Sequence, residues 1–110
     1  MERFVLMMKL KKDRVNDYID IHKKENVWTE IIELNKKAGV NKEKIFLYKN
    51  IVFNYIEAES YEKMIKVYNK DNNMKEWFKI IMPMVENQKE SNEWSKKIDL
   101  IYDYEDGRLL

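Results

Sequence analysis

The sequence predicts an α+β fold with the element order β-α-β-β-α-β, the ferredoxin-like arrangement in which a four-stranded antiparallel sheet carries its helices on one face. Three observations predict it. Four segments alternate along the chain with a period of two, as strands do. The regions between them carry apolar residues at i, i+3, i+4 and i+7, as amphipathic helices do. The strands also have apolar residues on both faces, so the sheet face without helices needs a cover. A second copy packed face to face supplies one, and the expected assembly is a homodimer of the dimeric α/β-barrel type.

Residues 3–10 read as the first strand. Phe4, Leu6, Met8 and Leu10 alternate with Arg3, Val5, Met7 and Lys9, and the partly apolar second face suits an inner strand. Asp13 is placed to cap the helical region that follows, residues 14–38. Its first half carries the stripe Val15, Tyr18, Ile19, His22, and its second half carries Trp28, Ile31, Ile32, Asn35. The step from His22 to Trp28 does not continue a 3.6-residue period, so residues 23–26 should bend, bulge or interrupt the helix. Gly39 supplies its stop. Residues 44–49 and 51–59 read as two strands joined at Lys49-Asn50, a tight turn because Asn tolerates positive φ. On the second of them Val52, Asn54, Ile56 and Ala58 share one face, and Phe53, Tyr55 and Glu57 the other.

Ser60 should cap the next helix, whose stripe is Tyr61, Met64, Ile65, Tyr68 and which should end at residues 71–73. A short further helix carries Met74, Trp77, Phe78 and Ile81, and Pro83 limits it. Residues 86–97 read as a polar loop with Trp94 as its one large apolar residue. That tryptophan either covers a site or partner or pins the loop to its own domain. In the last strand, residues 98–104, Ile98, Leu100, Tyr102 and Tyr104 alternate with Asp99, Ile101 and Asp103. Residues 105–110 have no clear pattern.

The chain has 110 residues, which fits a single domain over residues 1–110. Such a domain can bury a core but is small for enclosing a pocket unaided. Lys+Arg is 21 against Asp+Glu at 20, so no excess charge calls for nucleic acid or an anionic membrane. There are no cysteines, which removes disulfides, thiol nucleophiles and thiolate metal sites together. The two glycines and one proline form no Gly-rich phosphate loop. With no apolar run long enough for a secretory signal or a bilayer span, a cytoplasmic location is expected.

His22 is the one histidine in the chain. Tyr18 lies four residues before it, so on a helix the two share a face one turn apart. An imidazole that titrates near neutrality beside a phenol could move protons on a small substrate. The same spacing also describes a packed core histidine. Trp77-Phe78 is likewise either a stacking wall or core filling. Asn54, polar among apolar neighbours, is either satisfied structurally or aimed at a ligand.

In order and spacing the chain resembles the L-rhamnose mutarotase family. The resemblance runs from the Met8 strand through Tyr18-x-x-x-His22, Trp28 and the hairpin of residues 45–59, and on through Asp71 and Glu76-Trp77-Phe78-Lys79 to the closing strand. It implies a cytoplasmic dimer of this fold that interconverts the α and β anomers of L-rhamnose, or a related sugar, without metal or organic cofactor. It implies His22 as the acid/base residue and Tyr18 as a sugar contact sharing the proton work. Trp77 would stack on the pyranose, with Phe78, Trp28 and Asn54 as further substrate-binding candidates. The family usually has two consecutive tryptophans where this chain has Trp77-Phe78. Its first tryptophan usually follows the histidine by four residues, beside prolines, whereas Trp28 follows His22 by six without one. These departures fall on the pocket rim and bear on the choice of sugar.

The chemistry accords with that implication. Mutarotation opens the ring, lets the aldehyde face turn, and closes it again, which needs only groups that trade protons near neutral pH. Two other readings use the same residues. A haem-binding or haem-degrading protein of the same dimeric architecture could draft His22 as iron ligand with Trp77 and Asn54 nearby. A non-catalytic dimer could bind a ligand without transforming it.

Overall fold

The computed structural model describes residues 1–86 and 95–110. Its sheet has four antiparallel strands: β1 (Glu2–Lys9), β2 (Val40–Tyr48), β3 (Ile51–Ala58) and β4 (Lys96–Ile98), in the order β2-β3-β1-β4. The helices are α1 (Val15–Ile21), α2 (Thr29–Lys37), α3 (Tyr61–Lys70) and α4 (Asn72–Ile81). This is the expected architecture, with the predicted helical region divided into α1 and α2.

Register decides which residues reach the helices. β1 and β3 pair along their length, with Phe4 opposite Ile56, Leu6 opposite Asn54 and Met8 opposite Val52. Directly opposed residues point to the same face, and Phe4, Met8, Val52, Ile56 and Ala58 are all buried on this one. Two clusters fill the space above it. Phe4, Ala38, Ile56, Ala58 and Met64 form one. Met8, Tyr18, Ile31, Leu34, Val52, Met74, Trp77 and Ile81 belong to the other, next to the candidate site.

Side-chain caps explain where α3 and α4 begin, whereas α1 starts without one, Asp13 lying inside the short 3-10 turn of residues 12–14 and making no cap bond. The Ser60 hydroxyl accepts from the Lys63 N–H at 2.9 Å, as expected, and Asp71 caps α4 by accepting from the Met74 N–H at 2.9 Å. Residues 72 and 73 therefore open α4 instead of closing α3. Gly39 takes φ +78°, the left-handed conformation that ends α2 at little cost for a residue without Cβ.

Several boundaries and faces differ from expectation. β2 begins at Val40, four residues earlier than its sequence indicates, because a bulge between Val40 and Lys42 lets a polar run join the ladder. In the β2–β3 turn the positive φ, 55°, falls on Lys49. Asn50 acts elsewhere: its side chain donates to the Leu10 carbonyl at 2.8 Å, and its own carbonyl accepts from the Leu10 N–H at 2.7 Å. It thereby fixes the end of β1 from which the chain turns toward α1.

Ile19 and Ile32, expected in buried stripes, are exposed, while Ile21 packs against the core and Leu34 is buried. Two short helices with an interruption between them need not keep one common face. β4 covers only residues 96–98, two residues earlier than expected and much shorter, and residues 99–103 leave the sheet. The tail forms a small hairpin of β5 (Tyr104–Glu105) and β6 (Arg108–Leu109). Its turn is Asp106-Gly107, both at positive φ (51° and 82°), the signature of a tight hairpin. Residues 87–94, and with them the reading of Trp94, lie outside the described residues.

The outer face of the sheet carries Val5, Met7, Phe46, Tyr48, Phe53 and Tyr55, with Phe46 59% and Tyr48 63% exposed. Arg3 ties the C-terminal segment to this face through Glu57 (3.3 Å), Asp103 (3.5 Å) and Glu105 (3.3 Å). An open cavity of about 350 Å³ lies there, between Val5, Tyr55 and residues 98–103. It is on the opposite side of the sheet from the helices that carry Tyr18, His22 and Trp77. Among the described residues no helix is long and apolar enough to cross a membrane.

Candidate active site

The site begins with the way α1 ends. In a continuing α-helix the His22 N–H would donate to the Tyr18 carbonyl. Here the last turn tightens and the His22 N–H donates to the Ile19 carbonyl at 3.1 Å. The Tyr18 carbonyl is left open, and the His22 ring takes it, with Nδ1 2.8 Å away. A carbonyl can only accept, so Nδ1 carries the proton. In the neutral ring Nε2 then keeps its lone pair, as a base must.

The interruption expected at residues 23–26 is ordered by the chain itself. The Asn26 side chain donates to the Asp20 carbonyl at 2.6 Å, and the Val27 N–H to the Lys23 carbonyl at 3.2 Å. The first bond satisfies a carbonyl at the open end of α1 and the second closes the turn that follows it, returning the chain to Trp28, whose extended backbone is the N-cap of α2.

Four of the residues singled out in the sequence meet as a chain of rings. Tyr18 and His22 lie 4.4 Å apart between centroids, tilted by 38°. The His22 and Trp77 rings meet edge to face, at 5.7 Å and 84°. Trp77 meets Trp28 at 5.1 Å and 77°. Edge-to-face packing of this kind holds aromatic rings in place. Tyr18 is 4% and Trp77 6% exposed, so both are core residues as well as neighbours of the histidine. His22 and Trp28 are half-buried, so the exposed end of the cluster is made by the imidazole and one indole. Phe78, next to Trp77 on α4, is half-buried and packs against the same core.

Asn54 sits on the sheet floor, and its amide nitrogen donates to the Glu43 carboxylate at 2.9 Å. Glu43 lies opposite Ile56, on the helix-facing side of β2. A second amide nitrogen, that of Asn35, stands 3.5 Å from the other carboxylate oxygen, and the Tyr68 hydroxyl donates to the Asn35 amide oxygen. Burial raises the pKa of the Tyr18 and Tyr68 phenols above the usual tyrosine value, and the negative charge of Glu43 raises both further. Tyr18 is therefore a hydrogen-bond donor throughout the neutral range.

Glu43 was not singled out from the sequence, although Asn54, which donates to it, was. The signal was present: Ile45 and Leu47 alternate onto the inner face, and the same period places Glu43 there. The charged run of residues 42–44 obscured it.

The arrangement offers a lone pair on Nε2, a neutral phenol beside it, an aromatic wall and a carboxylate with amides at one edge. Those groups suit acid–base chemistry on a small, neutral, hydroxyl-bearing molecule.

Comparison with known proteins points the same way. The family model for L-rhamnose mutarotase matches residues 3–104. A protein of Oceanobacillus iheyensis named L-rhamnose mutarotase is 29% identical over 104 residues, 93% of this chain and 97% of that one. The crystal structure of an L-rhamnose mutarotase from Formosa agariphila superposes with a TM-score of 0.76 at 20% identity, covering 96% of this chain and all of that one. The tetracenomycin F2 cyclase of Streptomyces glaucescens, a type-II polyketide cyclase, shares the fold with a TM-score of 0.65 at 13% identity, over 96% of this chain and 98% of that one.

Proposed function

The chain belongs to the L-rhamnose mutarotase family, and from that premise we propose how its residues carry out the reaction. It is an isomerase that interconverts the α and β anomers of L-rhamnose, and family membership favours this over the haem-binding and non-catalytic readings.

His22 is the proton carrier. Its Nε2 takes the proton of the anomeric hydroxyl as the bond from the anomeric carbon to the ring oxygen breaks. The anomeric oxygen becomes the aldehyde oxygen. The imidazolium then returns the proton to the ring oxygen, which becomes a hydroxyl. Both oxygens are bonded to the same carbon, so one nitrogen can serve each in turn. Rotation of the aldehyde followed by the reverse steps gives the other anomer, with no net change in protons. The raised pKa of Tyr18 makes it a poor proton donor and a good fixed hydrogen-bond donor, so it orients the sugar oxygens against His22. Trp77 and Trp28 face the apolar C–H side of the sugar, Phe78 backs them, and Asn54 stands at the polar edge.

The observation that carries this reading is the 2.8 Å contact of His22 Nδ1 with the Tyr18 carbonyl, which leaves Nε2 as the basic nitrogen. NMR saturation transfer between the anomers of L-rhamnose, with and without protein, tests the function. Exchange faster than the uncatalysed rate is expected, and no acceleration refutes it.

The active form is a cytoplasmic homodimer of one 110-residue domain, joined through the outer face of the sheet. The exposure of Phe46 and Tyr48 supports this interface. Light scattering at low micromolar concentration should give the dimer mass, and a stable monomer refutes it.

A further inference from the structure

Glu43 differs from several other glutamates of the chain. Glu33, Glu57, Glu59, Glu62 and Glu76 each have a Lys or Arg partner within 4 Å. Among the described residues Glu43 has none, although it points to the inner face of the sheet. Amide nitrogens approach its two oxygens instead, Asn54 at 2.9 Å and Asn35 at 3.5 Å. The orientation of each amide is determined. Asn35 receives the Tyr68 hydroxyl on its oxygen, so its nitrogen turns to Glu43. Asn54 must present its nitrogen to the carboxylate, which leaves its own oxygen buried and, among the described residues, without a donor.

A buried amide oxygen without a donor is rare and costly, and such groups occur where a ligand completes the bonding. Glu43 is itself exposed, so a small molecule can reach it. The carboxylate and the orphan amide oxygen are both pure acceptors. Their complement is a pair of O–H donors on a neutral molecule, and a phosphorylated or carboxylated sugar would be repelled.

We propose that Glu43, held by Asn54 and Asn35, binds hydroxyl groups of the sugar beside Tyr18 and His22, with the Asn54 amide oxygen as the second acceptor, and so selects an unmodified neutral sugar. The inference rests on the mutarotase reading and adds a specificity-determining residue to it.

The test measures binding of L-rhamnose and of its monodeoxy analogues to the wild type, Glu43→Gln and Asn54→Ala, with anomer exchange followed alongside. A hydrogen bond to a charged group sets the scale. Glu43→Gln should weaken L-rhamnose binding about 10- to 100-fold and change kcat less than about threefold. The deoxy analogue that lacks the contacted hydroxyl should bind the wild type and Glu43→Gln equally. Asn54→Ala should give a smaller loss coupled to the same hydroxyl, and removal of an unpaired buried oxygen should leave the fold intact. Rhamnose affinity within twofold of wild type in Glu43→Gln overturns the inference. So does an equal loss for every analogue, which would mark the network as structural. So does a collapse of kcat with affinity unchanged, which would make Glu43 a proton carrier. A wild type that neither binds nor interconverts L-rhamnose overturns the proposed function and this inference with it.

Discussion

Replacing His22 separates chemistry from structure more cleanly than any other change in this site. His22→Ala removes the bond from Nδ1 to the Tyr18 carbonyl and the ring contacts with Tyr18 and Trp77. A hydrogen bond contributes about 0.5–1.5 kcal/mol, and an aromatic pair about 0.5–1.5 kcal/mol when buried. His22 is only half-buried, so the lower part of that range applies. The total is about 1–3 kcal/mol, less than the roughly 5–15 kcal/mol of a typical domain, and the variant should fold. His22→Asn goes further, because its amide N–H can still donate near the Tyr18 carbonyl while no basic nitrogen remains. Loss of a general acid/base costs about 10²–10⁴-fold in rate, or roughly 2.7–5.5 kcal/mol of barrier. Saturation-transfer NMR on the L-rhamnose anomers reads the rate, and denaturant unfolding reads the stability. Both variants should lose exchange by at least about 100-fold, with His22→Asn the more stable. A folded His22→Asn that exchanges anomers within about threefold of wild type would refute the assignment and leave His22 as a helix-terminating core residue.

Three further outcomes follow from the same geometry. Tyr18→Phe should lower exchange less than His22→Asn, with the loss mainly in KM; an equal collapse of kcat would make the phenol a proton carrier. Trp77→Ala should cost about 3–5 kcal/mol, the range for an aromatic removed from a core, whereas Trp77→Phe should keep the fold and weaken sugar binding; unchanged affinity in Trp77→Phe would make it core alone. Of the seven tyrosines, Tyr18, Tyr55 and Tyr68 have pKa values raised above the unfolded value of about 10, Tyr18 and Tyr68 the furthest. Their stabilisation is complete below about pH 10 and declines as pH rises through the folded-state values. Ultraviolet titration should show Tyr18 and Tyr68 ionising last, together with loss of structure. Ionisation of all seven in one step would contradict their burial.

Much of the fold was legible because strand and helix periods are local properties of the chain. The alternation in residues 3–10 and 51–59, the Ser60 cap and the stripe from Met74 to Ile81 all depend on neighbours within a turn or two. The break after His22 was legible for the same reason: six residues do not complete a helical period. Boundaries were less legible wherever pairing decided them. β2 extends back to Val40 because β3 offers partners and a bulge absorbs the mismatch. Among the described residues the strand-like alternation of residues 98–104 finds no partner in the sheet past Ile98, and Tyr104 pairs instead with Leu109 in the tail hairpin.

The sequence by itself determined the candidate groups and their chemistry: a lone imidazole four residues from a phenol, and aromatic residues at helical spacing. Only the tertiary structure decided which nitrogen of His22 is basic, because that follows from one carbonyl freed by a tightened last turn. Only it brought Trp28 and Trp77 together, from helices 49 positions apart by their sequence numbers. The tertiary structure also turned Glu43 from one charge in a polar run into a carboxylate facing the site. Its role depends on a pairing register with Ile56 and on amides from β3 and α2. Long-range register and the orientation of hydrogen-bond donors arise from packing between elements, and a local pattern does not encode them.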